Sequence, residues 1–133
     1  MFRVKYSREI VLKLLYQIDV LGLDVAKVDT FLAENGNFHR SLSEPERDFI
    51  VRVVGLVLQE KTDIDTLIVK NLIGWSLKRL TPVDRNLIRM GIAESRLSPE
   101  KAIIIDDVIR IAKKYSGEDS YRIINAILDK VIP

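Results

Sequence analysis

Apolar residues return at three- and four-residue steps along nearly the whole chain, as at Ile10/Val11, Leu14/Leu15, Ile18 and Leu21. That spacing draws one stripe down an α-helix, whereas a half-buried strand alternates at every second residue. No sustained alternation occurs, so the expected fold class is all-α. The breaks between stripes are helix punctuation. Gly22 closes a first helix that begins near Ser7, and Gly36 closes a shorter one from about Val25. "SEPE" at residues 43–46 has the spacing of a capping box and opens a third helix through about Glu60. "TDID" at residues 62–65 has similar spacing and predicts a fourth helix that ends at Gly74. "SLKRL" follows as a short helical turn.

At Thr81-Pro82-Val83-Asp84, threonine suits the N-cap and proline the first helical position, where its missing amide has no partner to lose. Asp84 can close that box. Ser98-Pro99 predicts a similar start for a helix to about Tyr115. Gly117 then stops it, and Glu118 or Asp119 caps a last helix ending near Val131. The expectation is about seven helices with short connections, packed as small bundles. With 133 residues, 47% of them hydrophobic, the chain is expected to form one domain, residues 1–133.

The residue inventory narrows the chemistry. There is no cysteine and a single histidine, His39, in a polar loop. Thiolate chemistry, disulfides and multi-histidine metal sites are thereby excluded. Neither G-x-x-x-x-G-K-[ST] nor G-x-G-x-x-G occurs. Asp63/Asp65 and Asp106/Asp107 read as helix-start acids and an exposed polar step rather than a cation site. The expectation is a non-enzyme without cofactor. Arg8, Glu9, Lys13 and Asp19 interrupt any signal-peptide core near the start, and no long uncharged run follows. A soluble, cytoplasmic protein with no membrane partner is expected.

A net charge of +2 demands that any nucleic-acid surface come from local clusters. Three are present. Arg3, Lys5 and Arg8 lie beside Phe2 and Tyr6, a mixture of cations and rings suited to single-stranded RNA. Lys78, Arg79, Arg85 and Arg89 form the second, with Arg85 and Arg89 one turn apart. Lys113, Lys114 and Arg122 flank the "SGEDS" turn. Each cluster also admits a plain reading, as a solvated face or as complements to a helix end. Tyr16 stands between apolar Leu12 and Leu15 and polar Gln17 and Asp19, so it either finishes the core or anchors a partner. Trp75 reads as a packing residue, and Asn125 as a half-buried amide holding the last helix.

Taken together, "SREIVLKLLYQID" at residues 7–19, "VVGLV" at 53–57, "WSLKRLTPVDRNLIRMGIAE" at 75–94, "IDDVIRIAKKY" at 105–115 and "GEDSYRIINAILDKV" at 117–131 carry a resemblance. In that order they resemble the NusB family of bacterial transcription antitermination factors over nearly the whole length. The resemblance implies two three-helix bundles with an extra helix. It also implies a job: pairing with NusE, a small-subunit ribosomal protein, to bind boxA RNA within the RNA polymerase antitermination complex of ribosomal RNA operons. By position, the family's basic arm falls on Arg3, Lys5 and Arg8, and its RNA-contacting "EDS" acid on Asp119, next to Tyr121 and Arg122. Tyr16, Asp84 and Arg85 fall on NusE-facing positions. A homodimer stays open in this family, as does service as an RNA-binding subunit acting in trans for an RNA-modifying enzyme. One departure stands out. Many members have an aromatic residue where this chain has Ile123, and Tyr121 lies two positions away, roughly half a turn around the helix.

Overall fold

The computed structural model describes residues 4–28, 30, 32, 42–72, 76–117 and 119–133. Expectations on Arg3, Gly36, His39, Gly74, Trp75 and Glu118 lie outside the described residues. Among those described, there are six α-helices: α1 (Val4–Leu21), α2 (Glu44–Gln59), α3 (Lys61–Lys70), α4 (Pro82–Leu97), α5 (Lys101–Tyr115) and α6 (Ser120–Val131). Two 3-10 turns, Val25–Lys27 and Leu77–Arg79, join them. Val28, Thr30 and Leu32 are helical too, where the second helix was expected.

The organising element is α4. It touches all the other five helices, and residues 86–94 are buried without interruption. A helix buried on every side belongs inside a core rather than on it. On one side α5 and α6 pack against α4 and each other as a three-helix bundle; on the other lie α1, α2 and α3. Leu14, Ile50, Ile64, Leu87, Ile104 and Ile124 are all fully buried, so the apolar stripes of the six helices meet in one continuous core. Close approach of α4 and α6 depends on Gly91. A β-carbon there meets the Cδ atoms of Leu128 at 3.0 and 3.2 Å. Leu128 is fully buried, which leaves it little room to swing aside. Gly91→Ala is expected to lose stability by about 1 kcal/mol, because overpacking of 1–3 kcal/mol exceeds a helix-propensity gain of about 1. A lowered urea midpoint with unchanged slope reads this out; a raised midpoint means that Leu128 has room.

Several caps match expectation. Gly22 follows α1 with φ of 71°, in the left-handed region. Ser43 and Glu46 form the reciprocal box: the Glu46 amide donates to Ser43 Oγ at 3.3 Å and the Ser43 amide to Glu46 Oε1 at 2.9 Å. The Asp84 amide donates to Thr81 Oγ1 at 3.1 Å. Others differ. Thr62 lies inside α3, which starts at Lys61 because Glu60 serves as both the end of α2 and the cap of α3. Helix α3 also ends at Lys70, before Gly74. Ser98 closes α4 by donating its amide to the Glu94 carbonyl, so α5 begins later, at Lys101. Asp119 holds the N-cap position of α6 without a side-chain capping bond. Asn125 is exposed. The buried amide is Asn86, which donates to Asp19 Oδ2 at 2.9 Å and to the Pro82 carbonyl at 2.8 Å.

Candidate binding surfaces

The first basic cluster is divided by the fold. Lys5 is exposed on the first turn of α1. Arg8 is not: it is 2% exposed and turned into the interface of α1, α4 and α5. Its Nε and Nη2 donate to Glu94 at 2.8 and 2.5 Å, and its Nη1 to Asp107 at 2.9 Å. The structure thus places Arg8, expected in a basic arm, in a buried ion cluster rather than on the surface. Asp107, expected on an exposed step, also accepts from Arg110 Nε at 2.6 Å. Burial alone pushes the Asp107 carboxyl up, but the hydrogen bonds from Arg110 and Arg8 outweigh it and hold the group below its ordinary value. One turn after Lys5, Glu9 accepts from Lys114 Nζ at 2.8 Å and from the Tyr115 hydroxyl at 3.0 Å. Lys5 therefore shares a helix face with the residue that clasps the end of α5.

The second cluster also splits. Arg89 donates to both oxygens of Asp65, at 2.8 and 2.9 Å, and to Asp19 Oδ2 at 3.1 Å. Arg85 Nε donates to the same Asp19 oxygen at 2.7 Å. Two of the four cations thus cement α1, α3 and α4, leaving Lys78 and Arg79 exposed on the Leu77–Arg79 turn. Arg85 reaches inward rather than presenting itself to a partner. Asp84 is 5% exposed, and its carboxylate accepts from the Ser116 hydroxyl at the end of α5 instead of completing the Thr81 box. Expected to face a partner, the group lies beneath the surface and links α4 to the end of α5.

Tyr16 lies at the edge of a groove of about 340 Å³ lined by Leu12, Lys13, Tyr16, Gln17, Leu21, Val83 and Tyr115. Leu21 is 71% and Tyr115 41% exposed. Three elements build this groove: the outer face of α1, the start of α4 and the last turn of α5. An apolar floor with rings and a lysine on its rim suits a protein partner. The fold thus gathers Tyr16 and the residue before Asp84 on one surface.

The third cluster stands at the α5–α6 turn. Asp119 and Arg122 are exposed and Tyr121 is half-buried. Lys113 Nζ sits 4.9 Å from the centre of the Tyr121 ring and the Arg122 guanidinium 5.8 Å from it. Arg122 Nε also approaches the Tyr121 hydroxyl at 3.4 Å, which holds the phenol below its ordinary value. Sequence reasoning named these residues but missed their joint geometry, and it missed Tyr115 and Val83 as groove walls. Among the described residues, no group of three or more acidic or histidine side chains is arranged to hold a metal, and no helix is long and apolar enough to cross a membrane.

Comparison with known proteins agrees with the resemblance. The model of the NusB family matches residues 5–133. The transcription antitermination protein NusB of Syntrophomonas wolfei is 34% identical over 128 residues, covering 95% of this chain and 92% of that protein. The NusB of Acetivibrio thermocellus is 36% identical over 129 residues, 95% and 86% of the two chains. Among solved structures, T. maritima NusB superposes with a TM-score of 0.84 at 27% identity over 98% of this chain and 91% of that one. A crystal structure of the antitermination factors NusB and NusE in complex with dsRNA gives a TM-score of 0.84 at 25% identity, over 96% of this chain and 94% of the other.

Proposed function

The chain belongs to the NusB family, and from that premise we propose that it is a transcription antitermination factor that binds boxA RNA as a heterodimer with NusE. Its work is binding, not catalysis, and is done in the cytoplasm on nascent transcripts of ribosomal RNA operons. The observation that carries this reading is the groove at Tyr16, an apolar docking surface on a chain whose structural relative is held in an assembly with NusE and RNA. NusE occupies that groove. Asp84 and Arg85 shape it from beneath, through Ser116 and Asp19. RNA meets a separate set of residues, Lys5, Asp119, Tyr121 and Arg122, and Arg3 belongs to the same reading. Arg8 anchors α1 to α4 and α5.

The test is anisotropy of a labelled single-stranded boxA RNA, with and without NusE, over a salt series. NusE is expected to tighten RNA binding, with a negative log-log salt slope of roughly −2 to −3 for three or four phosphate contacts. Tyr16→Asp places a charge on the apolar rim and is expected to weaken NusE binding at least about tenfold. RNA binding by the variant alone stays unchanged. Undiminished NusE binding by that variant moves the partner surface elsewhere. Failure of RNA to bind while NusE is bound leaves the family fold with a different job.

A further inference from the structure

We propose that Lys113 is a phosphate contact of the RNA face, held in place by the Tyr121 ring, and that Tyr121 is a positioning residue rather than a base-stacking platform. This rests on the RNA-binding reading above. The cations at the end of α5 are partnered differently. Arg110 and Lys114 are joined to carboxylates, at Asp107 and Glu9, and so are largely neutralised. Lys113, on the same helix, has no carboxylate within ion-pair distance among the described residues; its contact is the Tyr121 ring on α6. Arg122 likewise meets the ring and its hydroxyl, with Asp119 acting on it only at longer range. An aromatic face orients a cation without cancelling its charge. Two full positive charges are therefore fixed around one side chain, open to an anion.

The ring itself is occupied. It packs against the core as well as carrying both cations, and Ile123, also packed against the core, supplies no aromatic surface nearby. Base stacking needs a free π-face. A chain lacking the aromatic residue at position 123 thus meets the RNA backbone here by charge instead of meeting a base by stacking.

Salt dependence separates the two modes, since a phosphate contact to a single strand contributes about 0.7 to the slope and a stacked base contributes nothing. With NusE bound, Lys113→Gln is expected to flatten the slope by about 0.7 and weaken RNA binding roughly three- to tenfold at low salt. Tyr121→Leu removes the ring and should reproduce most of that flattening, whereas Tyr121→Phe keeps the ring and should restore it. The double variant Lys113→Gln/Tyr121→Leu should lose little more than either alone, because the two residues act as one unit. In the free protein, the ring-current shift of the Lys113 ε-methylene protons should vanish in Tyr121→Leu and persist in Tyr121→Phe. An unchanged slope in Lys113→Gln overturns the proposal, as does a Tyr121→Leu variant that loses affinity with its slope intact. Both outcomes are read against a wild-type protein that binds RNA; a wild type that does not bind instead overturns the RNA reading itself.

Discussion

Arg8→Ala is expected to destabilise the protein by about 3–5 kcal/mol, which is the cost of stranding buried carboxylates that have lost their buried cation. Glu94 and Asp107 have side chains only 6% and 4% exposed, and Arg8 satisfies one at each end of its guanidinium. Among the described residues, removing it leaves Glu94 without a partner and Asp107 with Arg110 alone. Since a whole domain is stable by only about 5–15 kcal/mol, the variant should be close to unfolding at room temperature. Urea unfolding followed by helical circular dichroism measures the loss. The triple variant Arg8→Met/Glu94→Leu/Asp107→Leu should recover most of it, since an apolar cluster of similar volume replaces three desolvated charges. A loss below about 1 kcal/mol in Arg8→Ala means that the cluster is solvated and that Arg8 is available to a ligand.

This arginine also shows where sequence reasoning reached its limit. Local signals transferred well: the Ser43–Glu46 box, the Thr81 cap and Gly22 at the end of α1 need only neighbouring residues to act, and each is found where its spacing put it. Thr62 and Ser98 carried equally good local signals and lost. At Thr62 the chain passes from α2 to α3 through Glu60 alone, and at Ser98 the residue already serves as the end of α4. Charge was harder. Arg8, Arg85 and Arg89 find their acids 86, 66 and 24 positions away, and no local pattern names such partners. A usable clue did exist. Arg8 precedes Val11, Leu12 and Leu15 at three, four and seven residues, so it stands on the buried stripe of α1 rather than on its polar face. Glu94 stands likewise behind Leu87 and Met90. A charge on the apolar stripe of an amphipathic helix marks half of a buried pair. The meeting of Lys113 and Tyr121 left no such trace, because it depends on how the turn between α5 and α6 folds back.

Arg89→Ala should cost about 2–3 kcal/mol, less than the Arg8 cluster because Asp65 and Asp19 keep 20% and 17% of their side chains in water. Its diagnostic feature is acid dependence. Burial alone raises the Asp19 carboxyl, but hydrogen bonds from Arg85 and Asn86, with the charges of Arg85 and Arg89, carry it down to about 2 from the ordinary 3.8. A depressed carboxyl stabilises the folded state above its unfolded value, and that contribution disappears as pH falls through the folded one. The window for Asp19 therefore runs from about pH 4 down to about pH 2. Asp19→Asn is expected to be less stable than the parent at pH 6, with the gap closing across that window. Urea midpoints at pH 6, 4 and 2.5 follow it, and a gap that stays constant means that Asp19 does not carry the shift. The same carboxylate ties the end of α1 to the start of α4, the elements that supply Tyr16, Leu21 and Val83 to the groove. Loosening it should separate the walls of the partner surface before the core melts. NusE binding by Asp19→Asn is accordingly expected to weaken at pH 6 under conditions where helical content is unchanged. Equal weakening in a core variant such as Gly91→Ala would show that global stability, rather than this one carboxylate, sets the shape of the groove.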